Sequence, residues 1–202
     1  MTEQPGRSSG AVGLRERHKR STRRSLEDAA LRLFARDGYD ATTVEAIAAE
    51  AGVSPRTFFR YFAAKDEVLD MGWQERRTRL TDLVAAAPSG LDDLPAAASA
   101  LAAMATEFEG ERSRVRQRAR AVRTSAALRG RTADTITAWE SALAGGLAAR
   151  RGLRAPDLRA TVAAATAVAV WRTAFAAWLQ APAGPLAPHV EAAFEAVGIP
   201  GG

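Results

Sequence analysis

The sequence predicts an all-α protein: an N-terminal three-helix unit carrying a helix-turn-helix, then a C-terminal helical domain. Two observations lead there. Apolar residues recur at i, i+3, i+4 and i+7 in segment after segment, with glycine or proline closing most of them. Within residues 41–65, ATTVEAIAAEAGVSPRTFFRYFAAK, two short runs flank a tight glycine turn.

Bulk properties narrow the class. The chain has 202 residues, 47% of them hydrophobic, enough for one domain or two small ones. It has no cysteine, which excludes a disulfide framework and a cysteine zinc site and fits a reducing compartment. The first 24 residues hold seven Lys or Arg and no apolar stretch, which argues against a secretory signal. The most apolar run, Val162 to Trp171, is shorter than a bilayer span and is flanked by Arg159 and Arg172. A soluble, cytoplasmic protein with no membrane partner is expected. The net charge is +5 and unevenly spread.

Taken in order, residues 1–13 are Gly-, Ser- and polar-rich and read as a disordered arm. Residues 14–64 form the helix-turn-helix domain. Its opening, LRERHKRSTRR, sets Arg20, Arg23, Arg24 and their basic neighbours against Glu16 alone. Such a run is either a solvated helix end or, placed as it is before a helix-turn-helix, a source of phosphate or minor-groove contacts. Leu26, Ala30, Leu33 and Phe34 form the buried stripe of the first helix, and Gly38 ends it. Thr42 is the expected N-cap of the next helix, with Glu45 completing a capping box. That helix, Val44 to Ala51, turns Val44, Ile47, Ala48 and Ala51 to one side, and Gly52 closes it in the left-handed conformation. Ser54 caps the recognition helix and Pro55 occupies its first position, where a missing N–H costs nothing. Val53, Phe58 and Phe62 belong to the core. Arg56, Thr57 and Arg60 face outward, Arg56 suited to a guanine edge and Thr57 to a thymine methyl or a phosphate.

The segment TTVEAIAAEAGVSPRTFFRYFAAKDEVL resembles the DNA-binding signature of the tetracycline-repressor (TetR) family of bacterial regulators. The Thr-Thr pair, the Gly-Val-Ser turn, the Thr-Phe-Phe-x-Tyr-Phe helix and the Lys-Asp-Glu opening of the following helix carry the likeness, over roughly residues 20–70. The resemblance implies that Phe59 packs against the DNA backbone, at a position where the family often has tyrosine. It also implies that Tyr61, Lys65 and Thr43 reach phosphates. An ordinary surface role for Lys65 stays open.

Residues 65–202 form the second domain, expected to serve ligand binding and dimerisation. Lys65 to Ala86 is expected as one long helix, Leu91 to Glu109 as the next, and Glu111 to Arg131 as an arginine-rich one. On that third helix Arg112, Arg116, Arg120 and Arg123 share a face, and Arg114 and Arg118 lie on another. Two readings stand: a solvated face pairing with nearby glutamates, or an anion site in which Arg116 and Arg120 hold a phosphorylated ligand. The second is similar to the part of the family with acyl-CoA-binding or mycofactocin-regulator-like ligand domains. Further helices follow over 133–151, 157–181 and 186–197. Met104, Phe108, Trp139, Trp171, Phe175 and Trp178 are the candidates to line an apolar effector pocket, although the same residues would serve as core. The helix over 157–181 is apolar nearly all round, so one side faces its own domain and the small-residue side can close on a second copy in a four-helix dimer bundle.

Enzyme chemistry has no support. His18 and His189 lack partners at metal-ligand spacing, and no phosphate loop or nucleophile motif is present. No catalytic residue, metal or cofactor is expected. Asp66, Glu67, Asp92 and Asp93 sit where acids favour a helix N-terminus. The expected function is a ligand-responsive regulator, most naturally a repressor, whose homodimer binds a palindromic double-stranded DNA operator and is released by a small apolar effector such as an acyl-CoA. A small-molecule sensor or carrier, or an activator, is the alternative.

Overall fold

The first apolar stripe folds as its spacing requires. In the computed structural model, which describes residues 8–70 and 72–199 and side chains from residue 16 onward, Leu26, Ala30, Leu33 and Phe34 are buried on α1 (Ser8–Asp37). Gly38 ends that helix at φ +86°. The arm expected over 1–13 is corrected in part: residues 8–13 are helical, and 1–7 lie outside the described residues. Extending an existing helix adds a hydrogen bond for each residue fixed, whereas nucleation is needed only once, so polar composition does not set the boundary.

The helix-turn-helix comprises α2 (Val44–Glu50) and α3 (Pro55–Phe59). Gly52, at φ +70°, supplies the turn between them. The cap of α2 is Thr43, one residue later than expected: its Oγ1 accepts from the Ala46 N–H at 3.1 Å. Thr42 is buried instead and donates from Oγ1 to the Gly38 carbonyl at 2.7 Å. Two adjacent threonines look alike in sequence, and this loop carbonyl chooses between them.

The helix expected over 65–86 is broken. Residues Lys65–Leu69 form a 3₁₀ turn, and Gly72 at φ +78° precedes α4 (Trp73–Ala86). A left-handed residue cannot continue a helix, and glycine holds that conformation without a Cβ clash. Next come α5 (Asp93–Ala105), with a 3₁₀ turn at Thr106–Phe108, and α6 (Arg112–Thr124). Ser125, extended at φ −124° and ψ 127°, divides α6 from α7 (Ala126–Arg150), so the arginine-rich helix ends before Arg129 and Arg131. Serine favours helix ends over interiors. The chain finishes with α8 (Leu158–Gln180), capped by Asp157 through the Ala160 N–H at 2.9 Å, and α9 (Ala187–Glu195).

α8 is the axis of the second domain, touching α5, α7 and α9, while α4 packs on α5 and α7. By length and composition α8 could cross a membrane, with a mean hydropathy of 1.4 over its most apolar window. The apolar run Val162 to Trp171 is shorter than the helix that contains it. Ala164, Ala167, Val168, Trp171, Ala174 and Trp178 on it are buried in the domain, as expected of a core helix.

The two domains are tied chiefly by α1 against α6. Arg114 of α6 donates to Glu27 at 2.6 Å and Asp28 at 2.7 Å, both on α1. At the far end of the second domain, Asp93 is buried between Arg151 (3.3 Å) and Arg159 (3.6 Å). Its role is an ion-pair core rather than a helix-dipole partner alone.

Candidate nucleic-acid interface and ligand cavity

Local chemistry sets the exposed end of the helix-turn-helix. Ser54 accepts from the Thr57 N–H at 3.2 Å, and the two hydroxyls lie 3.0 Å apart. Phe58 and Phe62 are buried with ring centroids 5.4 Å apart, which anchors α3 from beneath. The opposite face presents Pro55, Arg56 and Arg60 to solvent, with Thr57 and Tyr61 half-buried. Phe59 is 56% exposed, with its ring edge-on to that of Phe58 at 5.5 Å. The Arg60 guanidinium lies 5.2 Å over the Tyr61 ring. These residues can donate to bases or phosphates and offer apolar contact to a groove wall. Thr43 is exposed, and its capping oxygen accepts a bond, which leaves the hydroxyl hydrogen available.

Two of the expected phosphate ligands are engaged by the fold. Lys65 Nζ donates to the Tyr39 carbonyl at 2.7 Å and the Thr42 carbonyl at 2.8 Å, 4.2 Å from the centre of the Tyr39 ring. One ammonium hydrogen is left for an external anion. Arg23 pairs with Glu27 at 3.1 Å and lies 4.9 Å over Phe62. Arg24 is exposed, 3.8 Å from Glu111, and Arg20 is exposed.

The second domain carries an open apolar cavity of about 290 Å³ between α4, α6, α7 and α8. Trp139, Trp171 and Phe175 line it, together with Trp73, Val122, Ile136 and Val168. Met104, Phe108 and Trp178 do not. They are packed in the core behind it, Phe108 edge-on to Phe175 at 5.3 Å and Trp178 donating from Nε1 to the Gly184 carbonyl at 3.0 Å. Aromatic spacing identified the helix faces, but whether a face meets a void or a neighbour is decided by packing.

The arginine row also divides differently than its spacing suggested. Arg112 donates to the Trp178 and Ala181 carbonyls, and Arg116 to Leu179 (2.6 Å) and Ala181 (3.0 Å). These carbonyls close the C-terminus of α8, where acceptors lack helical partners and a cation meets the negative end of the dipole. Arg120 is exposed and lines neither cavity. Neither Arg116 nor Arg120 therefore faces the apolar cavity, and the arginine that does so from within is Arg118. Its Nε donates to the Leu69 carbonyl at 2.8 Å, and its guanidinium sits 5.4 Å over Trp73. Arg118, Trp73, Val122, Thr132 and Thr135 also border a second, polar cavity of about 330 Å³ beneath the 3₁₀ turn. There Arg131 pairs with Asp66, and burial, reinforced by Glu75, pushes the Asp70 carboxyl up from its ordinary value. Sequence spacing places Arg118 only on the other face of its helix. Among the described residues no group of three or more His, Asp or Glu is placed to hold a metal.

A capped, anchored helix-turn-helix beside a helical domain with an apolar cavity defines a one-component DNA-binding regulator. Comparison with known proteins agrees. The profile of bacterial regulatory proteins of the tetR family matches residues 26–70, and that of the MftR C-terminal domain matches residues 91–200. The chain belongs to the TetR family of transcriptional regulators, with an MftR-type C-terminal domain, and is a regulator rather than an enzyme. It is 29% identical, over 90% of its length and 92% of the relative's, to the proposed mycofactocin biosynthesis regulator MftR of Mycobacterium tuberculosis. It is 42% identical to the regulator TcmR of Streptomyces glaucescens over 104 residues, 52% of this chain and 43% of TcmR. Its fold is similar to that of Thermus thermophilus FadR, a TetR family repressor solved with lauroyl-CoA. That likeness has a TM-score of 0.53 at 24% identity and covers 86% of this chain and 91% of FadR.

Proposed function

We propose that the chain is a cytoplasmic, ligand-released repressor that acts as a homodimer on a palindromic operator. The supporting observation is the division of α3 and the turn after it: Phe58 and Phe62 hold them to the core, and Arg56, Phe59 and Arg60 are exposed on the other side. Arg56 and Arg60 read base edges or phosphates, Phe59 packs on the backbone, and Ser54, Pro55, Thr57 and Tyr61 set the helix end against the groove. Thr43, Arg20 and Arg24 add phosphate contacts. Lys65 positions the loop before α2 and offers its remaining hydrogen to a phosphate. A second copy closes on the exposed side of α8, where Leu158 is 80% and Val162 55% exposed, and places two α3 helices about 34–36 Å apart.

The effector is small and largely apolar, held by Trp139, Trp171 and Phe175. Acyl-CoA-like molecules are one candidate class, after the lauroyl-CoA bound to FadR. It releases DNA only through its different affinity for the two states, a linkage typically worth about 1–3 kcal/mol. Footprinting on the chain's own upstream region, with sedimentation of the free protein, is the test. A two-fold-symmetric footprint and a dimer are expected. A monomer, or no shift at moderate salt, would point instead to a sensor or carrier that does not act on DNA.

A further inference from the structure

The apolar cavity has a one-sided charge balance. Its lining includes Arg118, Arg123 and Arg172 and, among the described residues, no aspartate or glutamate. Arg123 and Arg172 are exposed at its rim, where water solvates them. Arg118 is different. Its contacts are the Leu69 carbonyl and the Trp73 ring, and among the described residues no carboxylate lies within ion-pair distance of it. Desolvation lowers its pKa from the ordinary arginine value, with the attraction of Asp70 opposing. Arg118 is half-buried, and on its other side the polar cavity holds Asp66, Glu67 and Asp70, none within ion-pair distance of it. A half-buried cation without a contacting anion is costly, and an incoming anion recovers that cost.

We propose that the cavity selects an organic carboxylate, with a compact apolar body among Trp73, Trp139, Trp171 and Phe175 and its carboxylate paired to Arg118. The proposal rests on the reading of the C-terminal domain as the effector site, and it makes Arg118 the specificity-determining residue. A guanidinium presents five N–H donors, of which Nε is taken by Leu69, and the others match a carboxylate in fork geometry. At about 290 Å³ the space lies near the lower end of ligand pockets, which run from roughly 300 to 1,000 Å³. It suits a bicyclic or short-chain acid, which narrows the effector from acyl-CoA-like molecules to the free acids. Leu69 ends the 3₁₀ turn just before the Gly72 break, so the bound carboxylate and the joint between the domains grip the same rigid, planar group.

Calorimetry on the full chain with matched pairs, 2-naphthoate against 2-naphthamide and decanoate against decanamide, tests this. At least one acid should bind roughly tenfold or more tighter than its amide. The preference should vanish in Arg118→Met, persist in Arg123→Met and Arg172→Met, and survive in part in Arg118→Lys, which keeps the charge without the fork. Hydrogen exchange of amides 66–73 should respond to the acid and not to the amide. Equal binding within both pairs, no binding by either acid, or a preference that survives Arg118→Met overturns the proposal. If Arg118→Met fails to fold, Arg118→Lys carries the same decision, because an undiminished preference there excludes a fork. None of these readouts involves DNA. A chain that prefers acids yet ignores every operator sinks the repressor reading alone, and one that binds its operator but no carboxylate sinks only this inference.

Discussion

Replacing Arg114 by methionine removes the ion pair that joins the DNA-binding domain to α6. The guanidinium sits 2.6 Å from Glu27, 2.7 Å from Asp28 and 3.6 Å from Glu111, and only 14% of its side chain is exposed. Burial works against its charge, but the Glu27 bond and the two α1 carboxylates outweigh it and raise its pKa above the ordinary arginine value. Breaking a buried pair from one side costs about 3–5 kcal/mol, because the remaining charge is stranded. Here Glu27 keeps Arg23 at 3.1 Å, and Asp28 is 37% exposed and partly screened, so about 2–3 kcal/mol is the expected loss. For a chain of this size that corresponds to a fall of roughly 5–10 °C in melting temperature. The assay is thermal unfolding followed by circular dichroism, with Arg114→Met/Glu27→Leu alongside. Removing both charges should restore much of the loss, since an apolar pair of similar volume is often neutral. A single variant that melts within about 1 °C of the parent, or a double variant no better than the single, would refute the reasoning.

Three further outcomes follow from the same geometry. Arg56→Ala, at an exposed residue, should relax base preference without lowering stability, whereas Lys65→Ala should weaken all DNA sequences alike and also lower the melting temperature, because it frees the Tyr39 and Thr42 carbonyls. Equal loss of specificity in both would contradict these roles. Gly52→Ala should cost about 1–2 kcal/mol in a urea melt: a Cβ there meets nothing within 4 Å, so the penalty is that of φ +70° itself. Gly52→Asn should cost less, since asparagine tolerates the left-handed region. Finally, bonds from Arg151 and the Ala160 N–H hold the Asp157 carboxyl down at about 2. Its contribution is present above the unfolded value near pH 4 and is lost as the pH falls toward 2, so the melting temperature of Asp157→Asn should fall less steeply over that window.

The parts of this protein legible in the sequence are those decided within a few residues. Ser54 and Thr57, Gly52, Phe58 and Phe62, and Asp157 with Ala160 are each at most four positions apart, and helical period and capping chemistry operate at that range. Breaks were harder to place. Nothing local distinguishes Thr42 from Thr43, or marks Gly72 and Ser125 as the ends of helices rather than residues within them.

What the sequence by itself determined is the all-α class, the helix-turn-helix, the residues on its free face and the aromatic faces of the second domain. Only the tertiary structure decided which arginine each environment claims. Arg112 and Arg116 meet carbonyls 63 to 69 positions away at the end of α8, Arg114 meets carboxylates 86 and 87 positions away on α1, and Arg118 meets Leu69, 49 positions back, beside the cavity. Periodicity states which side chains share a face of a helix. What that face meets depends on helices brought together by burial of apolar surface, which carries no direction that a local pattern can encode.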